Sequence, residues 1–334
     1  MTVPSRLPIV QAPMAGGPST PELAAAVNAA GGFGFVAGAY LTAEALRGAL
    51  ERTRALTAEP IGVNLFVPGA PAPDRAAIDA YAERLRPLAD RFGTALGEPR
   101  WEDDDYPAKV AVLESAGVHT VSFTFGCPSA DDVRRMQRTG ARVAVTVTGR
   151  AEAEQAAAAG ADALVVQGTE GGGHQGTFDG TVPNETPLLD ALAEIRDAGL
   201  PMIAAGGIMT PADVRAALDA GADAVQVGTA LLCTPEAATS APYRAALLER
   251  RYPDTVITRA FSGRYARGLL NAFAREHADA PGGYPELHHL TRPLRAAATK
   301  AGDPDVPNLW AGTGWRAIVA EPAGEVIRCL AADL

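Results

Sequence analysis

Alanine-rich stretches alternate with short β-branched runs along most of this chain, and the junction between them recurs. In AAGGFGFV (29–36), SAGVHTVSF (115–123), AAGADALVV (158–166) and DAGADAVQV (219–227), a helix-compatible segment ends at glycine and an apolar run follows. Glycine readily takes the left-handed conformation that ends helices, so each copy reads as helix, C-cap, strand. Two copies share the tetrapeptide GADA, Gly160 to Ala163 and Gly221 to Ala224, as duplicated βα units would. Filling in the intervals predicts strands at 7–12, 33–36, 60–65, 119–123, 142–147, 162–166, 201–205 and 223–227, each followed by a helix-compatible segment. Alternating units imply parallel strands with right-handed crossovers, and eight of them close a ring, so the expected fold is an α/β (β/α)8 TIM barrel. TPEL (20–23), TAEA (42–45) and TPAD (210–213) supply helix starts just after strands.

Two segments fall outside the repeat. Residues 68–117, opening PGAPAPDRAAIDAYAERL, separate the third strand from the fourth and predict inserted helices; residues 241–334 run on past the eighth unit. The expected organisation is a barrel from 1–67 and 118–240, a helical insertion at 68–117, and a helical C-terminal extension or lid at 241–334. No low-complexity linker separates these parts, so they are expected to form one structural unit.

Composition narrows the function classes. Of 334 residues, 47% are hydrophobic, enough for a substantial core, and a formal charge of −10 disfavours nucleic acid or an anionic membrane as partner. Cys127, Cys233 and Cys329 are far apart and form no CxxC pair, so neither a disulfide framework nor a zinc site is expected. No apolar run approaches the roughly eighteen residues of a membrane span, and MTVPSRLPIVQAPM lacks a signal-peptide pattern. A cytoplasmic enzyme is the expectation, with oligomerisation left open.

Barrel active sites are assembled from the loops that follow the strands. After the first strand comes QAPMAGGPST (11–20), where Gly16 and Gly17 permit close backbone approach or simply make a tight turn. The seventh strand ends at Gly206 and Gly207, the eighth at Gly228 and Thr229. Glycines at these two strand ends suit a phosphate held by backbone N–H groups. The sixth strand runs into QGTEGGGHQGTF (167–178), which puts His174 in a glycine-rich loop without apolar periodicity. An imidazole there can exchange protons or hold an anion; Glu170 reads as a loop residue. Asn64 and Gln167, at the ends of the third and sixth strands, are amides that can address a ligand edge or cap strand ends. His119, His277, His288 and His289 read by default as solvated or structural, and Cys127 lacks a histidine neighbour in sequence.

Several motifs together resemble the class I nitronate monooxygenases, formerly called 2-nitropropane dioxygenases: QAPMAGGPSTPEL (11–23), GVNLFVP (62–68), SFTFGCP (122–128), QGTEGGGHQGTF (167–178) and AAGGI (204–208), with FSGRYARG (261–268) and DPDVPNLWAGTG (303–314) in the tail. The resemblance implies noncovalent FMN contacted by Pro13, Met14, Ala15, Asn64, Gln167, Gly172, Gly173, Gly206, Gly207, Gln226, Val227, Gly228 and Thr229, with His174 as the active-site histidine. It implies oxidation of an alkyl nitronate by O2, without NAD(P)H, to a carbonyl compound and nitrite or nitrate, and it favours propionate 3-nitronate. One departure is visible. The family pattern leads into the histidine with alanine and two glycines and follows it with arginine; this chain has Gly171, Gly172 and Gly173, then Gln175. Lys300 is a candidate anion contact in the tail. Alternatives are an FMN-dependent NAD(P)H reductase acting on quinones or enoyl thioesters on the same barrel, and a phosphate-ligand or flavin-binding module without turnover.

Overall fold

The computed structural model describes residues 3–72 and 74–334. Eight parallel strands form the central sheet: β1 (Ile9–Gln11), β2 (Phe35–Ala37), β3 (Gly62–Phe66), β4 (Thr120–Thr124), β5 (Arg142–Val147), β6 (Ala163–Gln167), β8 (Met202–Ala205) and β9 (Ala224–Val227). A two-residue strand, β7 (Gly173–His174), lies in the loop after β6 and belongs to a different sheet. The central sheet runs β1-β9-β8-β6-β5-β4-β3-β2, and a parallel bridge between Val10 and Phe33 joins its two ends. Phe33 N–H donates to Ile9 O and Gln11 N–H to Phe33 O, both at 2.9 Å, so the ring closes as a TIM barrel.

Strand periodicity sorts the side chains. Val10, Phe33, Phe35, Ala144, Ala163, Val165, Ile203 and Ala224 pack inside the barrel; Ile9, Val63, Val121, Val143, Val145, Leu164, Val166 and Val225 face the helices. Phe35 fills the centre against Gly62, where an added Cβ would stand 2.4 Å from its ring. Continuing the inward set toward the C-terminal ends gives Asn64, Ser122, Thr124, Thr146, Gln167 and Gln226, so the apolar plug has a polar upper layer.

The surrounding helices begin and end where the sequence signals them. Thr20, Thr42 and Thr210 cap α1 (Pro21–Ala29), α2 (Ala43–Leu56) and α8 (Pro211–Asp219) through their side chains, and Thr210 and Asp213 form a reciprocal capping box. Gly160 (φ 93°) and Gly221 (φ 100°), from the duplicated GADA units, take the left-handed turn after α6 (Arg150–Ala159) and α8. The intervening helices are α5 (Ala130–Arg138) and α7 (Leu188–Ile195).

The insertion divides in two. Its second helix, α4 (Tyr106–Ala116), takes the regular barrel position beside α2 and α5, whereas α3 (Arg75–Arg91) is an addition. The chain beyond β9 contains α9 (Ala241–Leu248), α10 (Ala272–Glu276), α11 (Glu286–Lys300) and α12 (Ala323–Leu330). Of these, α12 packs between α8 and α1 and completes the outer ring. The helical extension also carries strands that the sequence pattern does not predict: β10 (Thr255–Thr258) and β11 (Ala266–Leu269) form an antiparallel hairpin, and β7 pairs with β11 as its third strand. These strands lack the helix–glycine hinge of the barrel units, which is why the repeat does not reveal them. A second core joins α3 to α11 through Ile78, Tyr81, Leu85, Leu287, Leu290 and Leu294, together with Phe261 and Phe273. Among the described residues no helix is long and apolar enough to cross a membrane.

Candidate active site

A cavity of about 470 Å3 opens at the C-terminal ends of the barrel strands, beneath the hairpin and α11. Every residue that the resemblance assigns to FMN lines it, as does His174: Pro13, Met14, Ala15, Asn64, Gln167, Gly172, Gly173, Gly206, Gly207, Gln226, Val227, Gly228 and Thr229. They arrive from five separate strand ends. Val227 contributes backbone alone, because its side chain packs among the helices and its carbonyl accepts from Ala12 N–H at 2.8 Å.

One end of the cavity is built from glycine. Gly206 (φ 117°) and Gly207 (φ 74°) take conformations that other residues rarely adopt. At Gly172 an added Cβ would stand 2.5 Å from Gly312 N and 2.6 Å from Ala311 C, so two stretches of backbone meet with no side chain between them. The Thr229 hydroxyl accepts from Gly312 N–H at 3.0 Å and keeps its own proton to donate. Among the described residues the backbone N–H groups of Gly207 and Gly228 have no hydrogen-bond partner. This donor set, without a carboxylate in the wall, fits a phosphate.

The middle of the cavity is the polar upper layer of the barrel. Asn64 Nδ2 donates to Ser122 O, Ser122 Oγ and Thr124 Oγ1 at 2.9–3.2 Å, which fixes the amide with Oδ1 left as an acceptor. Gln226 has neither end engaged among the described residues. The Gln167 amide holds the histidine loop: Nε2 donates to His174 O (3.2 Å) and Oε1 accepts from Gly176 N–H (2.6 Å). The Asn64 acceptor and the free Gln226 amide, in a cavity also lined by apolar Pro13 and Met14, suit the edge of a planar heterocycle carrying both N–H and C=O groups.

His174 commands the other end. Gly173 and His174 pair with Arg267 and Ala266 of β11, and Gln175 N–H donates to Tyr265 O at 2.9 Å, so the loop is stitched into a sheet. The ring packs against Phe125 (5.6 Å), Tyr284 (5.8 Å) and Trp310 (5.3 Å), and Nε2 lies 2.8 Å from Ser262 Oγ. Enclosure by these rings, followed by the charges of Arg264 and Arg295, pushes its pKa down to about 3, leaving it uncharged near neutral pH. Burial also brings Arg264 and Arg295 down to about 10, so both remain charged. Neither has a carboxylate within 4.0 Å among the described residues. Arg295 Nε donates to Thr291 Oγ1 (3.0 Å), and its Nη groups reach Asn308 Oδ1 and His288. Tyr40, stacked on His288 at 4.5 Å, accepts from the Tyr284 hydroxyl (3.2 Å), and burial pushes its phenol up to about 12.

Several site residues escape a reading of the sequence. His288 is a buried wall of the cavity rather than a solvated histidine, and burial followed by Arg295 holds its pKa well below the ordinary range. A signal existed: His288, Arg292, Arg295 and Thr299 fall on one face of α11, opposite the stripe of Leu287, Leu290, Leu294 and Ala298. Lys300, one residue past that face, is exposed and outside the cavity. Gln175 is buried, its amide paired with the backbone of Asn184, so positive charge reaches the site from the C-terminal segment instead. Glu170 accepts from Leu188 N–H at 3.0 Å and Cys127 lies outside the cavity wall.

The nitronate monooxygenase family model matches residues 4–333. The chain is 41% identical to a nitronate monooxygenase of Pseudomonas aeruginosa, covering 98% of this chain and 96% of that protein. It is 38% identical to one from Paraburkholderia phytofirmans, over 98% and 92%. Among solved structures, the nitroalkane oxidase of Streptomyces ansochromogenes superposes with a TM-score of 0.97 at 47% identity, over 100% of this chain and 97% of that one. FabK from Thermotoga maritima shares the architecture at TM-score 0.76 and 26% identity, over 98% and 93%. With its whole length matched and its barrel and cavity described above, this chain belongs to the nitronate monooxygenase family of flavin-dependent enzymes.

Proposed function

We propose that the chain binds FMN in this cavity and oxidises alkyl nitronates with O2 to a carbonyl compound and nitrite or nitrate, with propionate 3-nitronate the favoured substrate. One observation carries the reading. A single cavity joins a glycine-built anion cradle to an enclosed compartment where an uncharged His174 stands near two guanidinium groups that lack carboxylate partners. Gly172, Gly206, Gly207, Gly228 and Thr229 would hold the phosphate; Pro13, Met14, Ala15, Asn64 and Gln226 would hold the ring, with Gln167, Gly173 and the Val227 backbone beside them. When bound, FMN supplies the one-electron chemistry with nitronate and O2.

The chain's own share is binding and exclusion. Arg264 and Arg295 give the compartment a positive potential that favours an anion over a neutral nitroalkane. Phe125, Tyr284 and Trp310 keep water from the imidazole. His174 offers the substrate a hydrogen bond. With a pKa near 3 it is a weak base toward a carbon-bound proton, which favours substrate that arrives already ionised.

The test is a visible spectrum of the purified holoprotein followed by anaerobic reduction and aerobic O2 uptake, with propionate 3-nitronate and separately with NADH and NADPH. Nitronate-driven O2 uptake without bleaching by nicotinamides is the expected result. Bleaching by NADH or NADPH with no response to nitronate would move the assignment to a flavin-dependent reductase.

A further inference from the structure

The loop that presents His174 is wrapped around one buried guanidinium. Arg264 is 7% exposed; its Nε donates to Gln175 O at 3.4 Å, and its Nη2 donates to Thr177 O and, at 3.4 Å, to Thr177 Oγ1. On the far side the chain returns so closely that a Cβ at Gly180 would stand 2.5 Å from Arg264 Nη1. The guanidinium carbon also sits 4.1 Å from the centre of the Phe125 ring, whose edge-on contact with His174 is 5.6 Å. Phe125 has φ 78°, a left-handed conformation uncommon for an aromatic residue and sustained only by firm surroundings. One side chain thus touches both the loop following His174 and the ring lying against it.

Hydrogen bonds to carbonyls need no charge, since an amide could supply them. Burying a guanidinium without a carboxylate partner is costly, and arginine cannot shed its proton to escape that cost. The charge therefore asks for a role of its own. We propose that Arg264 is a positioning residue for the reaction: it fixes the loop that presents His174 and sets a permanent positive charge near the imidazole. This rests on the reading of His174 as the active-site histidine. The ionisable groups around His174 are Arg264 on the turn before β11, Arg295 and His288 on α11, and Tyr284 ahead of α11. Glu152, Asp179, Tyr40 and Tyr284 surround Arg264 in turn.

The experiment follows the His174 imidazole by NMR across pH in the holoprotein, with kcat and KM for propionate 3-nitronate, in Arg264→Gln, Arg264→Lys and His174→Ala. Arg264→Gln should raise the His174 protonation midpoint by about one unit or more. Arg264→Lys should keep the midpoint low but lower kcat by about tenfold with a smaller change in KM, because an ammonium cannot span both carbonyls. A His174 midpoint unmoved in Arg264→Gln, or a parental kcat in Arg264→Lys, would overturn the proposal. If Arg264→Gln does not fold, the kcat of Arg264→Lys decides. Full turnover by His174→Ala would remove the reading of His174 itself, whereas an inactive His174→Ala beside unaltered Arg264 variants would refute the positioning role alone.

Discussion

An imidazole that stays uncharged through the physiological range is a hydrogen-bond partner before it is a base. His174 is held there chiefly by burial, with Arg264 and Arg295 reinforcing it, so its neutral form persists at every pH above about 3. A neutral-form requirement is lost only on acidification through that value, so kcat/KM for a nitronate should show no histidine limb between about pH 5 and 8. A kcat/KM profile recorded over that interval with preformed nitronate checks this, and an acid limb near the ordinary imidazole value would show that His174 titrates normally. The same weak basicity predicts that the neutral nitroalkane turns over far more slowly than its nitronate, by roughly two orders of magnitude. Of the residues that create this environment, several lie in motifs that carry the family resemblance, but only His174 stands out in sequence as a site residue, because a histidine among glycines has no place in a core stripe. Ser262, Arg264 and Tyr284 lie 88 or more residues away along the chain, so nothing local announces the contact. Ser262 and Arg264 come from the turn of the hairpin and Tyr284 from the segment ahead of α11.

Elements set how closely the loops approach, and the glycine cradle is where that approach is tightest. A methyl group at Gly172 would meet backbone of residues 311 and 312, neither of which can swing aside as a side chain would. Gly172→Ala should therefore separate the two loops, weaken flavin retention by at least about tenfold and destabilise the fold by about 1–3 kcal/mol. Flavin content after dialysis and a denaturant titration read both. Gly149→Ala is the control, because nothing lies within 4 Å of its Cβ position and its φ of −166° is open to any residue. The barrel elements were legible because burial repeats their grammar: alanine helix, left-handed glycine, β-branched strand. The hairpin was not, since β10 and β11 earn their strand character only by pairing with each other and with β7. Likewise α12 reads as part of a tail, and only its packing on α1 and α8 makes it a member of the ring.

At the scale of the whole molecule, the chain encloses all five of its histidines enough to disfavour their charged forms. His119, His174, His277, His288 and His289 each have a pKa below the ordinary value of 6.5, with burial the largest cause in every case. The unfolded chain regains ordinary histidines, so between the folded values and 6.5 it binds more protons than the native state does. Stability is then complete above about pH 6.5 and falls as pH drops through the interval below it. For His174 alone, with a folded value of about 3, the loss by pH 5 is on the order of 2 kcal/mol. The surface carboxylates Glu22, Glu83, Glu114 and Glu325, which accept from arginines, act in the same direction but only in the lower, carboxylate range. The location of the fall therefore separates the two causes. Urea titrations of the holoprotein at constant ionic strength should show stability dropping already between about pH 6.5 and 5, well before carboxylates protonate. A flat profile down to about pH 4.5 would mean that the histidines reach water and protonate within the native state. In His277→Gln, which removes a buried titrating ring that is not part of the cavity wall, the early part of the slope should become shallower while flavin binding stays unchanged.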